Sequence, residues 1–347
     1  MSLSRAHDAT PPRSDAELEE RLSRPPASLA PVLAQTPGGI LVLGAGGKMG
    51  PSLARMAKRA DPARRVVAVS RWSDGGAVPR ALRDDGVETP RADLLDDGDL
   101  ARLPDLPNVI FMAGRKFGTA ADATATRAMN VEMPAAVARR FAGARTVVFS
   151  TGNVYALTPP ARGGARETDE PAPVGAYAAS CLEREGRFAD AAARLGTPVS
   201  IARLNYAHDL RYGVLTDIAR RVMAHETVDV RMGWVNVIWQ GDANALALAA
   251  LARAAHPAPY IVNVAGPALL RVADIARALA ARLGTDARLE GEEAPDALLS
   301  NASRMRELLD HPLLPVDTLL DWVADWVARG GTLLDKPTKF ERRDGAF

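Results

Sequence analysis

The sequence predicts an α/β protein built on a doubly wound parallel sheet, with a smaller and less regular region after about residue 205. Three observations carry this. Short apolar runs recur without polar alternation, as strands buried on both faces do. Stretches of helical periodicity lie between them, the arrangement that crossover connections produce. A glycine-rich turn joins the first apolar run to the first long helix of the sheet region.

Taken in order, "SDAELEERL" opens with Ser14 followed three residues later by Glu17, a capping-box spacing, with Leu18 and Leu22 on one face of a short helix. Residues 1–13 before it read as disordered. "GGILVLGAGGKMGPSLARMAKRA" reads strand, turn, helix, and "RRVVAVS" is a second buried strand. "NVIFMAG" and "RTVVFSTG" are two more, separated by the helical "ADATATRAMNVEMPAAVARRFA". "AYAASCLEREGRFADAAARLG" is a long Ala-rich helix and "PVSIARLN" a strand. Helical stretches follow at 241–255, 271–283 and 316–329, separated by "YIVNVAGP" and "APDALLSNAS". No internal repeat or low-complexity tract is present.

Composition narrows the function classes. The 347 residues allow two domains or one large one, and 47% hydrophobic content is ample for a core. Charged residues make up 24%, yet the net charge is only +1, which argues against nucleic acid or an anionic membrane as the main partner. A single cysteine, Cys181, rules out an internal disulfide framework and fits a reducing compartment. No uncharged apolar stretch reaches the ~18 residues a spanning helix needs. The N-terminus is polar rather than signal-like. The expectation is a soluble cytoplasmic protein with a small-molecule substrate. No Cys/His cluster has metal-ligand spacing.

The glycine turn is the first functional signal. Gly44, Gly47 and Gly50 form G-x-x-G-x-x-G between strand and helix, where glycines permit a tight turn, backbone approach to a pyrophosphate and close helix–strand packing. The stricter G-x-G-x-x-G fails because residue 49 is Met49. The second strand ends on Ser70 and Arg71. An acidic residue there favours NAD by bonding the ribose 2′-OH, whereas a guanidinium suits a 2′-phosphate. NADP is therefore expected, with NAD as the alternative if Arg71 is a surface residue and Asp74 serves the ribose.

These segments, in this order, resemble the extended short-chain dehydrogenase/reductases, the group of NAD-dependent epimerases and dehydratases, from about residue 38 to about 330. "LVLGAGGKMG", with Lys48 and Met49, is similar to the opening glycine motif. "RADLLD" resembles the segment beside the adenine, here Asp93 and Leu94. "VIFMAG", ending at Ala113 and Gly114, resembles the fourth-strand signature, and "MNVEMPAAV" the Asn-Val segment at Asn130. "FSTGNVYA" resembles the strand end that supplies the catalytic hydroxyl, Thr151. "YAASCLERE" matches the helix of the catalytic tyrosine, Tyr177. The resemblance implies a Rossmann domain at 38–204 plus about 235–265. It further implies a discontinuous substrate domain at about 205–234 plus 266–347, preceded by an extension at 1–37. It also implies a homodimer packed through the Ala-rich helices at 121–142 and 176–195, where small residues permit close approach.

One departure stands out. The family pattern is Tyr-x-x-x-Lys, and the lysine position is Cys181. That lysine bonds the nicotinamide ribose and lowers the tyrosine pKa; a neutral thiol does neither. Tyr177 is then expected to stay protonated, a proton donor and a poor base. Cys181 reads as a small helix residue at the cofactor, or as a nucleophile if its thiol pKa is lowered. Of the five lysines, Lys48 lies in the glycine turn, Lys58 on the following helix, and Lys336 and Lys339 near the end of the sequence. Only Lys116 then remains to replace the missing charge, because it lies just past a parallel strand's C-terminal end; the alternative is an exposed basic loop.

On the substrate side the candidates are Asn153, Asn205, His208, Arg211 and Trp239, with Tyr206, Arg231, Trp234 and Gln240 nearby. A polar lining with aromatic walls suits a sugar, sugar acid or related hydroxy or keto compound. The alternative is that the tryptophans are core and the arginines pair with carboxylates. The expected function is an NAD(P)-dependent oxidoreductase or epimerase, with Tyr177, Thr151 and Lys116 as catalytic residues. The alternatives are a dinucleotide-binding sensor or scaffold with little redox activity, and a lyase or dehydratase using bound cofactor.

Overall fold

Six short apolar runs become six parallel strands: β1 (Ile40–Leu43), β2 (Val66–Val69), β3 (Asn108–Phe111), β4 (Arg145–Thr151), β5 (Val199–Leu204) and β6 (Tyr260–Val264). The protein is a computed structural model that describes residues 9–73, 75–119, 121–336 and 338–345. The strands lie in the order β6-β5-β4-β3-β1-β2. The chain leaves β1 toward β2 on one side and returns to place β3 on the other. That reversal opens a crevice beyond the carboxyl ends of β1 and β3, where open α/β sheets take their ligands.

The principal helices are α1 (Asp15–Leu22), α2 (Gly50–Ala60), α3 (Met133–Arg140), α4 (Gly175–Leu195), α5 (Val214–Met223), α6 (Gln240–Ala249), α7 (Val272–Leu283) and α8 (Val316–Ala328). Strand side chains alternate between faces. Ile40 and Val42 face a core with Leu53 and Met56 of α2 and Leu246 of α6. Leu41 and Leu43 face a second core with Val137 of α3 and Phe188 of α4. Burial on both faces explains why these strands carry no polar alternation. A third apolar cluster joins Leu18 and Leu22 of α1 to Ile218 of α5, Leu279 of α7 and Trp326 of α8. No helix among the described residues is long and apolar enough to cross a membrane.

Three expectations need adjustment. Residues 1–8 lie outside the described residues, but residues 9–13 are pinned rather than disordered. Trp322 Nε1 donates to the Ala9 carbonyl at 2.9 Å and Arg329 to those of Pro12 and Arg13. The helix expected through 121–142 is interrupted by a π turn at 128–132, which carries Asn130. The capping box forms with a shift: Ser14 Oγ accepts from the Glu17 amide, while Glu17 Oε2 accepts from the amide of Arg13 rather than Ser14.

The sheet and α4 are joined by a buried ion pair. Arg203 of β5 donates to both carboxylate oxygens of Glu185, with side-chain exposures of only 3% and 5%. Ser150 Oγ donates to the same carboxylate, and Arg203 Nη1 donates to the Tyr155 hydroxyl at 2.8 Å. Truncating one partner leaves an uncompensated buried charge, at a cost of about 3–5 kcal/mol. Glu185→Ala is therefore expected to lose about that much stability in urea unfolding. The double variant Glu185→Leu/Arg203→Met should lose less than the single one. Equal stability of Glu185→Ala and the parent chain would remove the pair from any structural account.

Candidate functional site

A cleft of about 720 Å³ opens at the carboxyl ends of the strands. Its walls include the glycine turn after β1, the loop after β3, the end of β4, the start of α4, the segment after β5, and, following α8, Leu334, Lys336, residues 338–340, Arg342, Arg343 and Gly345.

The glycine turn is shaped by close approach. A Cβ at Gly44, whose φ is +86°, would lie 2.6 Å from the backbone of Ala113, and one at Gly50 would lie 2.5 Å from Ala45 Cα. These two glycines let the turn sit against β3's loop and let α2 start tight against β1. At Gly47 a Cβ would meet nothing nearer than the Gly44 carbonyl at 3.5 Å. Its backbone therefore borders open cleft, a cradle that fits a dinucleotide pyrophosphate. Met49 also lines this wall. Ser70 lies against Gly46 at the tip of β2. Arg71 faces Asp93 at 3.9 Å with both side chains exposed, and Leu94 is buried in the core. Asp74 lies outside the described residues.

Tyr177, Thr151 and Cys181 come together. The Tyr177 hydroxyl lies close enough to the Thr151 hydroxyl and the Cys181 thiol for both to act on its proton. Thr151 Oγ1 also accepts from the amide and side chain of Asn153, at 3.2 and 2.8 Å. With its lone pairs so used, the Thr151 proton is the one available to Tyr177. Burial first, then the adjacent thiol, pushes the Tyr177 pKa well up, and Arg184 opposes this. Cys181 is 0% exposed, packed with Val154, Tyr155 and Ala165 behind the tyrosine. Burial pushes its thiol up as well. The cofactor contact expected of Cys181 is therefore corrected: it faces the interior, and a buried neutral thiol is a spacer rather than a nucleophile.

Asn130 is a second correction. It is wholly buried and spends its amide on protein. Its Oδ1 accepts from the Arg115 amide and Arg184 Nη2, each at 2.8 Å, and its Nδ2 donates to the Arg115 carbonyl and Ser180 Oγ. Asn130 thus clamps the 113–116 loop to α4. That loop carries Lys116, which lines the cleft within electrostatic reach of Cys181. Burial lowers the Lys116 pKa to about 8.

Lys48 crosses the cleft. Its Nζ donates to the Ala207 carbonyl at 3.0 Å and sits 4.5 Å over the Tyr212 ring. Burial brings its pKa to about 8, with Lys116 and Arg211 adding to the lowering.

The substrate-side candidates divide. Asn153, Asn205 and Arg211 line the cleft. Asn205 is tied to Asn236 at 3.0 Å, and Arg211 is held by Asp209 and by Glu19 of α1. His208 and Trp239 do not open onto it. His208 is fully buried, its pKa lowered to about 3 by burial and Lys48. Trp239 packs edge-on against Trp322 at 5.5 Å in the third core. Of the neighbouring candidates, Tyr206 lines the cleft, Arg231 pairs with Asp229, and Gln240 is buried on Ser52.

Sequence reasoning missed Arg184 and the segment after α8. Arg184 lies seven residues after Tyr177, hence on the same helix face. Its guanidinium donates to the Phe149 carbonyl and Asn130, and its charge acts on both Tyr177 and Cys181. Lys336 and Lys339, set aside as remote, both line the cleft. Only helical phase pointed to the first, and nothing local pointed to the second.

Comparison with the curated proteins finds no match. Among solved structures, UDP-glucuronic acid 4-epimerase from Bacillus cereus, in complex with UDP-glucuronic acid and NAD, is 18% identical. The alignment covers 84% of this chain and 99% of that one, with a TM-score of 0.70. Pal from Bacillus thuringiensis is 16% identical over 84% and 99%, with a TM-score of 0.69. UDP-glucose 4-epimerase from Thermotoga maritima is 15% identical over 84% and 99%, with a TM-score of 0.66. At these identities the likeness is one of fold. A family model, "NAD dependent epimerase/dehydratase family", matches residues 40–265. With its six-stranded parallel sheet and glycine cradle, the chain belongs to that family, enzymes of the extended short-chain dehydrogenase/reductase type.

Proposed function

We propose that the protein is an NAD(P)-dependent epimerase or oxidoreductase acting on a carbohydrate, sugar acid or related hydroxy or keto compound. The observation that carries this is the neighbouring Thr151 and Tyr177 side chains at the wall of a cleft that also presents the Gly47 cradle. The nicotinamide, when bound, supplies the hydride acceptor and donor. Thr151 and Tyr177 hold the reacting oxygen of the substrate. Tyr177, neutral through burial, gives its proton to an oxygen as that oxygen gains charge. Removing a proton from an alcohol is harder for the same reason. Arg184 and Lys116 are the cations that ease it, Arg184 as a permanent charge and Lys116 as one that titrates near pH 8. The proposed substrate domain comprises about 205–234 plus 266–347. UDP-sugars, the ligands of the Bacillus cereus and Thermotoga maritima structures, are the first substrates to test.

A second reading is a dinucleotide-binding protein with little redox activity. The Cys181 position and the raised Tyr177 pKa favour it. Three substitutions separate the two. Tyr177→Phe should abolish turnover with cofactor binding nearly intact. Lys116→Ala should lower turnover or cofactor binding at least ~10-fold, the scale of one charge-assisted contact. Cys181→Ala should be close to neutral. Because Lys116 has a pKa of about 8, its contribution as a cation fades as pH rises through 8, and the parent's rate should fall with it. Silence of all three substitutions would favour the binding reading.

The NADP preference rests on Arg71, which its 3.9 Å approach to Asp93 leaves partly engaged. Titration of NAD and NADP should show tighter NADP binding that weakens in Arg71→Ala. Tighter NAD binding, unchanged by that substitution, would assign the cofactor as NAD. The proposed homodimer through the 121–142 and 176–195 helices predicts twice the chain mass in light scattering at micromolar concentration; a chain-mass particle would count against it.

A further inference from the structure

The segment after α8 lies outside the 40–265 span of the family match, runs along the cleft wall, and is held differently in its two halves. The first half is anchored. The Leu334 amide donates to the Arg211 carbonyl at 3.1 Å. Thr338 donates to the Asp217 carboxylate of α5 from its amide at 2.8 Å and from its hydroxyl at 2.6 Å. Phe340, 4% exposed, inserts into the third core. A buried phenylalanine beside a doubly bonded threonine makes a firm attachment.

The second half, residues 341–345, buries no side chain. Arg343 donates to the Asp296 carbonyl at 2.7 Å and to its carboxylate. Arg342 pairs with Asp344, and Glu341 faces Arg221 of α5 at 3.7 Å. Ion pairs in contact with water contribute little to stability. What seats the end of this half is shape. Gly345 lies backbone on backbone against Val174 and Gly175, with φ of +68° and +85° at the two glycines. A Cβ on Gly175 would lie 2.6 Å from the Gly345 carbonyl oxygen, and one on Gly345 would overlap the Val174 carbonyl oxygen. So close an approach requires glycine on both sides. Gly175 opens α4 two residues before Tyr177, and Val174 and Tyr177 both line the cleft. The seat is therefore at the tyrosine end of the cleft.

We propose that residues 341–345 form a latch, hinged on the Thr338–Phe340 anchor, that closes over the Tyr177 end of the cleft when Gly345 seats on Gly175 and opens to admit a substrate. Segments that bury few apolar groups open at low free-energy cost, and active-site lids are drawn from them. The firm anchor keeps the open latch beside the cleft, so closing needs no long search. The inference goes beyond the functional reading above, since it concerns access to Tyr177 whatever reaction the tyrosine serves.

Two measurements on the full chain, without cofactor or substrate, test it: hydrogen exchange read by mass spectrometry, and hydroxyl-radical footprinting of side chains. In the parent, the amides of 342–345 should exchange faster than those of 338–340. Gly345→Ala places a methyl group against the Val174 backbone and should speed exchange at 342–345 at least ~10-fold, the scale on which one overpacked contact shifts a local opening equilibrium. Oxidation of Tyr177 should rise with it, relative to Leu195 at the far end of α4, which is 50% exposed. Gly330→Ala is the control. Gly330 has a similar φ of +69°, but a Cβ there would meet nothing within 4 Å. It therefore reports backbone strain alone and should leave 342–345 and Tyr177 as in the parent. Circular dichroism guards against misfolding, and a misfolded Gly345→Ala passes the same expectations to Arg343→Gln, which releases Asp296. Exchange of 338–345 as one unit, unchanged Tyr177 oxidation in the latch variant, or equal effects of Gly345→Ala and Gly330→Ala would overturn the latch. Failure of the parent chain to bind NAD would sink the functional reading alone, because neither measurement uses a ligand.

Discussion

The Glu185–Arg203 pair fixes α4 against the sheet, and the cleft is organised around α4. Adjacent helix residues point about 100° apart, so Arg184 and Glu185 reach different strands. Glu185 turns to β5, where the pair continues through Tyr155 to the side chain of Asn263 on β6. Arg184 turns to the Phe149 carbonyl on β4 and to Asn130, which in turn holds the loop after β3. Two neighbouring side chains therefore set the height and rotation of the helix that presents Tyr177. Buried polar connections of this kind are costly when incomplete and rigid when complete. Here one donor, Arg184 Nε, has no hydrogen-bond partner among the described residues, so the network is rigid at Glu185 and less satisfied beside the tyrosine.

That arrangement changes how the missing lysine is understood. Cys181 does not leave Tyr177 in an uncharged environment. The guanidinium of Arg184 acts on Tyr177 and the ammonium of Lys116, on the opposite loop, acts on Cys181, neither at the position that the sequence pattern reserves for a lysine. An arginine cannot lose its proton at any ordinary pH, whereas Lys116 titrates near pH 8. The electrostatic field at Cys181 thus has a constant part and a pH-dependent part.

The sheet was legible in the sequence because its strands are apolar on both faces, and the glycine turn because close packing forces residue type. The Tyr177–Cys181 face and the Lys116 loop followed from helical phase and from the location of strand ends. What was not legible is whatever depends on contacts between distant segments. Asn130 carries a motif that suggests a ligand contact, yet the π turn aims it at Arg115 and Arg184. Trp239 and His208 have the composition of a pocket and the burial of a core. Lys339 has no local signature at all, since Thr338 and Phe340 on either side of it are what seat the segment.

The contact between Arg211 and Glu19 bears on where the functional unit begins. The family match starts at residue 40, and a chain trimmed to that boundary would keep the sheet and the glycine turn. It would lose α1, and with it the carboxylate that accepts from Arg211 at 2.7 Å and also holds Arg55 of α2. Leu18 and Leu22 would leave a gap in the core shared by α5 and α8. Arg211 would then retain Asp209 alone, and one wall of the cleft would be free to swing. Residues 9–39 are thus a keystone of the cleft, set in from outside the span by which the family is recognised.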